Sequence, residues 1–123
     1  MRLREGPLLF CSFTDLSANA KHPKGMTFKS TGGEFTGAGL FAAVSFDDGK
    51  TWPHRRLVTP GGPPRTVNGI DRNQFTLSAI SAEHNGYLAA TQTRDGRIQL
   101  ITSKNHYAFN LAWLKQLPPA PGK

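Results

Sequence analysis

Cysteine is almost missing from this chain of 123 residues: Cys11 stands alone. One thiol excludes an intramolecular disulfide and any zinc site built on several cysteines. Acidic residues are also scarce, eight Asp and Glu against fifteen Lys and Arg, which leaves a net charge of +7. Charged residues make up 19% of the chain and hydrophobic ones 37%. That is too apolar for a disordered charged tail. No apolar run approaches the roughly 18–20 residues that span a bilayer, so no membrane partner is expected. The first residues, Met1-Arg2-Leu3-Arg4-Glu5-Gly6-Pro7, carry two arginines but no apolar core of a signal peptide. The four histidines, His22, His54, His84 and His106, show no metal-ligand spacing. Neither a metal nor a cofactor is expected.

Turn-forming residues are plentiful: thirteen Gly and nine Pro punctuate the chain too often for a helical bundle. Between them lie short apolar runs of strand length. Pro7–Phe13, Leu40–Phe46, Trp52–Thr59, Phe75–Ser81, Tyr87–Thr93 and Arg97–Thr102 read as strands. Residues 14–37 read as a long polar loop with a short extended piece at Met26–Lys29, and 65–73 as a second loop. His106–Leu114 fits two periods: Tyr107, Phe109, Leu111 and Trp113 alternate as in a strand, whereas Tyr107, Leu111 and Leu114 fit a helical stripe. Its aromatic content favours the strand. Residues 115–123 read as an extended, solvated, proline-rich tail. About seven short strands and no secure helix make an all-β fold.

Two Asp-Gly turns, at Asp48-Gly49 and Asp95-Gly96, lie 47 residues apart, within the span of a propeller blade. Only the first is followed by Thr-Trp, so the two are expected in different hairpins of their blades. The first belongs to Ser45-Phe46-Asp47-Asp48-Gly49-Lys50-Thr51-Trp52. This matches the Asp-box pattern Ser-x-Asp-x-Gly-x-Thr-Trp at all five specified positions. Short Ser, Asp and Thr side chains can bond the turn backbone, and Gly49 supplies a positive-φ position. Trp52 is expected to be buried beneath the turn as an apolar anchor.

On these residues the chain resembles the sialidase (neuraminidase) superfamily of Asp-box, or bacterial neuraminidase repeat, propellers. Gly39–Ser45 before the box is similar to the late blades of sialidases. Asn85-Gly86-Tyr87-Leu88 followed by Asp95–Ile101 is similar to the segment that carries their nucleophilic tyrosine, although Leu88 replaces the usual serine. The resemblance spans most of residues 7–114. It implies about two blades of a six-bladed propeller, 7–59 with the Asp-box at 45–52 and then 75–114. It also implies that further blades precede this segment in a longer protein, or that copies of the chain associate. A secreted or periplasmic location is implied in the same way.

The activity implied is glycoside hydrolysis of sialosides, in which a tyrosine replaces the usual carboxylate nucleophile, a glutamate activates it, and three arginines grip the substrate carboxylate. Tyr87 falls on the nucleophile. Arg65, Arg72 and Arg94 are candidate anion contacts. The third arginine of the family has no counterpart in Glu34–Gly39, and Lys29 is the only nearby cation that could stand in. Hydrolysis by this chain alone is therefore not expected. Three functions follow: a sialidase-like hydrolase segment, a non-catalytic module that binds a glycan or a protein, and nucleic-acid binding through the +7 charge. The last ranks lowest, because the basic residues are scattered in pairs rather than interleaved with aromatics. The partner expected is a glycan, possibly sialylated.

Overall fold

The computed structural model describes residues 1–14 and 25–121. Lys21, His22 and Lys24 lie outside the described residues. The chain is all-β, with 46% of residues in strands and 5% in helix. Ten strands are followed by one short helix: β1 Leu8–Phe13, β2 Met26–Ser30, β3 Gly33–Gly37, β4 Leu40–Ser45, β5 His54–Leu57, β6 Arg65–Asn68, β7 Gln74–Leu77, β8 Leu88–Gln92, β9 Ile98–Thr102, β10 His106–Phe109 and α1 Leu111–Lys115.

Two three-stranded antiparallel sheets form the frame, in the orders β1-β4-β5 and β8-β9-β10. Every residue of β4, Leu40-Phe41-Ala42-Ala43-Val44-Ser45, is buried. A strand covered on both faces needs an unbroken run of small and apolar side chains, and this run supplies it. It pairs with β1 from Leu8↔Ser45 to Phe13↔Leu40, and with β5 from Phe41↔Leu57 to Val44↔His54. β9 alternates instead: Ile98, Leu100 and Thr102 point inward, while Ile101 is exposed. Ile98, Leu100 and Phe109 join Leu9, Leu40, Val44 and Leu114 in one hydrophobic cluster, so both sheets share a core.

Two hairpins cut into the expected loops: β2–β3 builds on the extended piece expected at Met26–Lys29, and β6–β7 pairs part of the 65–73 loop with the expected strand at Phe75–Ser81, while 15–24 of the first loop lie outside the described residues. β2 and β3 pair from Met26↔Gly37 to Ser30↔Gly33, with Phe28 stacked on Phe35 at 5.8 Å. β6 pairs with β7 from Arg65↔Leu77 to Asn68↔Gln74. β3 and β6 have strongly polar outer positions, which is why composition alone reads them as loop. The 106–114 segment satisfies both of its periods in turn. It runs as β10 to Phe109 and then, from the cap Asn110, as α1, with the Asn110 side chain accepting the Trp113 N–H at 2.9 Å.

The proline-rich tail keeps Lys115, Gln116, Leu117 and Pro119 exposed, but it is tied down at two points. Lys115 belongs to α1, and the Pro118 carbonyl accepts the Thr31 N–H at 3.0 Å. Arg56 donates to the carbonyls of Trp113 (3.1 Å) and Gln116 (2.9 Å), closing the helix end, while its guanidinium lies 3.9 Å from the Trp113 ring centre.

One close approach fixes the segment that matters most below. The chain at 80–83 runs beside 38–40: Ala38 N–H donates to Ile80 O, Ala82 N–H to Ala38 O, and Leu40 N–H to Glu83 O at 2.6 Å. Gly39 sits in this contact at φ 119°. A Cβ there would meet the Ala82 and Glu83 carbonyls at 2.5–2.6 Å. Only glycine allows both the conformation and the approach.

Candidate functional site

The Asp-box closes on itself. Ser45 Oγ donates to Asp47 Oδ1 at 2.8 Å and accepts the Gly49 N–H at 2.8 Å. Asp47 takes the Thr51 N–H on Oδ1 (2.8 Å) and the Thr51 hydroxyl on Oδ2 (2.6 Å). These bonds, the Thr51 hydroxyl foremost, pull the Asp47 carboxyl down to about 2. Asp48 at φ 60° and Gly49 at φ 92° turn the chain through two left-handed residues. Trp52 lies beneath the turn, but it is half-buried rather than buried, with its ring centre 6.0 Å from that of Phe10. The turn joins the middle strand β4 to the outer strand β5.

The second Asp-Gly turn joins the outer strand β8 to the middle strand β9, so the two occupy different hairpins of their sheets. It repeats one element of the first: Thr93 Oγ1 donates to Asp95 Oδ1 at 2.6 Å, the same hydroxyl-to-acid spacing as Ser45 and Asp47. Asp95 also accepts the Arg97 N–H (3.1 Å) and pairs with Arg97 Nε at 3.0 Å.

The residues singled out for sialoside chemistry sit on different elements: Tyr87 at the entry to β8, Arg65 at the start of β6, Arg72 in the β6–β7 turn and Arg94 in the β8–β9 turn. Tyr87 is 88% exposed, and its backbone N–H donates to Ser103 Oγ at 2.8 Å. Arg94 lies beyond the far end of the five-residue strand β8 from Tyr87, in the turn that follows it. Arg65 donates to the Gly61 carbonyl at 2.9 Å and so braces its own turn. Arg72 stands exposed in the β6–β7 turn at φ 69°. No hydrogen bond or ion pair joins Tyr87, Arg65, Arg72 and Arg94 among the described residues. Lys29 and Glu34 face one another across the β2–β3 ladder, both exposed. Burial, the first cause, pushes the Cys11 thiol up to about 11, so it is a packed thiol and not a nucleophile.

The structure assembles a different group. Glu83 is fully buried. Its Oε1 accepts the Tyr107 hydroxyl at 2.6 Å and the Thr102 hydroxyl at 2.8 Å. Its Oε2 has no hydrogen-bond partner among the described residues. Lys104, nearly buried next to Thr102, turns its ammonium to Asp71 at 2.7 Å and leaves Glu83 without a counter-charge. Burial first, and then the bond to Glu83 and its charge, raise the Tyr107 phenol well above its ordinary value, so Tyr107 keeps its proton and donates a hydrogen bond to Glu83.

Tyr107 also lines a cavity of about 600 Å³, with Trp113, Arg97, His106, Asn105 and Asn110 among its walls. Trp113 is tilted against Phe109 at 5.3 Å. Aromatic walls with a few polar side chains between them are the usual make-up of a small-molecule site, and the volume lies inside the usual range. His106 Nε2 is 2.8 Å from Gln99 Oε1.

Sequence reasoning named Tyr87 and passed over the second of the two tyrosines. The signal available was the Asn85-Gly86 turn immediately before Tyr87, which places it at an exposed strand entry. Tyr107 instead shares the inner face of β10 with the buried Phe109. Glu83 carries no sequence signal, since its burial comes from the long-range contact at Gly39. Among the described residues no group of three or more His, Cys, Asp or Glu could hold a metal, and no helix is long and apolar enough to cross a membrane. No protein-family model, curated protein or solved structure matches the chain.

Proposed function

We propose that this chain is a glycan-binding segment of a sialidase-like β-propeller, about two blades in extent, which binds carbohydrate without hydrolysing it on its own. The cavity at Tyr107 carries this reading. A sugar ring offers an apolar C–H face and a rim of hydroxyls. The cavity offers Tyr107 and Trp113 for the face, and Asn105, Asn110 and His106 for the rim. The propeller part rests on the closed Asp-box turn and on two three-stranded antiparallel sheets that share one core.

The test is Trp fluorescence and ligand-observed NMR with the purified chain and short oligosaccharides. Saturable binding with a Kd near 1 mM or tighter, lost in Trp113→Ala but not in a Tyr87→Phe control, supports the reading. No binding to any sugar at several times that concentration sinks it.

A hydrolytic reading has one observation in its favour, the Tyr107–Glu83 hydrogen bond at 2.6 Å. It pairs the two residue types that sialidase chemistry needs, at Tyr107 instead of Tyr87. The phenol's retained proton and the lack of a converging arginine trio weigh against it. Turnover of a fluorogenic sialoside, abolished by Tyr107→Phe, would put hydrolysis in place of binding.

A further inference from the structure

We infer that the cavity at Tyr107 selects uncharged sugars over sialylated ones, and that the Asp95–Arg97 pair sets this choice. The inference rests on the glycan-binding reading above and specifies its ligand class.

Three observations carry it. First, Arg97 is the one arginine lining the cavity among the described residues, and its Nε is paired with Asp95 Oδ2 at 3.0 Å. Asp95 is held as an anion in that position by the Thr93 hydroxyl at 2.6 Å and by the Arg97 N–H at 3.1 Å. The carboxylate that a sialoside would bring therefore meets a cation whose charge is already matched. Both members of the pair are exposed, so the bond is weak in energy, but the charge balance at the rim remains. Second, Glu83 bonds Tyr107 and no basic side chain pairs with it among the described residues, so the carboxyl group behind Tyr107 offers an incoming carboxylate no compensating charge. Third, the direction of the Tyr107 hydrogen bond matters. The phenol donates its hydrogen bond to Glu83 and so has no O–H left to offer a ligand carboxylate. A sugar hydroxyl can donate to the phenol oxygen, and a carboxylate cannot. The guanidiniums that could recognise an anion elsewhere are engaged or distant: Arg56 is bound to the carbonyls of Trp113 and Gln116, and Arg65 to that of Gly61.

The experiment compares lactose with sialyllactose, two probes that differ by one anionic sugar, at pH ~8, where an ordinary histidine is neutral. The native chain should bind lactose at least about tenfold more tightly, a difference of about 1.4 kcal/mol. Asp95→Asn keeps the turn's acceptor oxygen and removes the matching charge. It should raise sialyllactose affinity at least about threefold and leave lactose affinity unchanged. Adding Arg97→Gln to that variant should erase the gain. Equal or tighter binding of sialyllactose by the native chain overturns the selectivity while leaving glycan binding intact, as does an Asp95→Asn variant with no gain. Failure of both sugars to bind overturns the glycan-binding reading itself, and the selectivity with it.

Discussion

Ser45→Ala isolates the hydrogen bonds that shape the Asp-box turn. The Ser45 side chain is fully buried at the end of β4. Its hydroxyl accepts the Gly49 N–H at 2.8 Å and donates to Asp47 at 2.8 Å. Alanine keeps the strand, its pairing with Leu8 and the buried Cβ, so packing changes little. What it removes is the acceptor for a backbone donor enclosed by the turn. A buried donor left unsatisfied costs about 1–3 kcal/mol, and that range is the expected loss. The Asp47 carboxylate is open to water and replaces its lost partner there, so it adds no comparable penalty. Against a total stability of about 5–15 kcal/mol, the change is readily measured by urea unfolding, with the slope m unaltered. Asp48→Asn is the control: its bond to Arg2 joins two exposed side chains, and Asn tolerates the left-handed backbone. It should leave the midpoint almost unmoved. A Ser45→Ala loss below about 0.5 kcal/mol, or a loss equal to that of Asp48→Asn, would refute the claim that Ser45 organises the turn.

Gly39→Ala should destabilise the chain by at least about 2 kcal/mol, since it adds strain at φ 119° to a collision with the Ala82 and Glu83 carbonyls; near-native thermal stability would show that the contact is loose. Tyr107→Phe should cost about 1–3 kcal/mol by taking one of two donors from the buried Glu83, and calorimetry that shows no loss would mean water or another group already serves that oxygen. Asp47 and Asp71 both have folded pKa values near 2, below the usual 3.8. The stability they contribute is therefore present above about pH 4 and lost as the pH falls towards 2. For Asp71 the first cause is the bond from Lys104. Lys104→Met should flatten that acid limb in pH-dependent unfolding, and an unchanged limb would remove Asp71 from it.

How much of this was legible in the sequence depends on range. Leu40–Ser45 is unmistakable because a buried central strand has one composition, small and apolar throughout. The Asp-box is legible because all of its bonds lie within four residues, and the hydrogen-bonding pattern is written into the spacing. The strands β3 and β6 were hidden because their hairpins are held by one stacked or buried face, Phe28 on Phe35 and Phe75 beside Leu77, amid polar neighbours. The proline-rich tail was hidden for the same reason. Arg56, 57 residues before Trp113, is what fastens the helix before it.

The candidate site shows the same limit more sharply. A resemblance carried by local pattern picked Tyr87, because Asn-Gly-Tyr and Asp-Gly-x-Ile are local features. The pairing that gives a tyrosine its chemistry is not local. Tyr107 reaches Glu83 across 24 residues, and Glu83 is buried only because Gly39 lets the 80–83 segment press against the start of β4. Thr102 and Tyr107 converge on one carboxylate oxygen because β9 and β10 are neighbours in register, with Tyr107 opposite Leu100. A buried acid with one oxygen accepting two hydrogen bonds and the other unpaired among the described residues costs folding energy that an apolar residue of similar size would not. On the glycan-binding reading, Glu83 is retained because it fixes Tyr107 through their hydrogen bond. If Glu83→Leu proves as stable as the native chain yet loses sugar binding, the acid serves the cavity; if stability and binding fall together, it serves the fold.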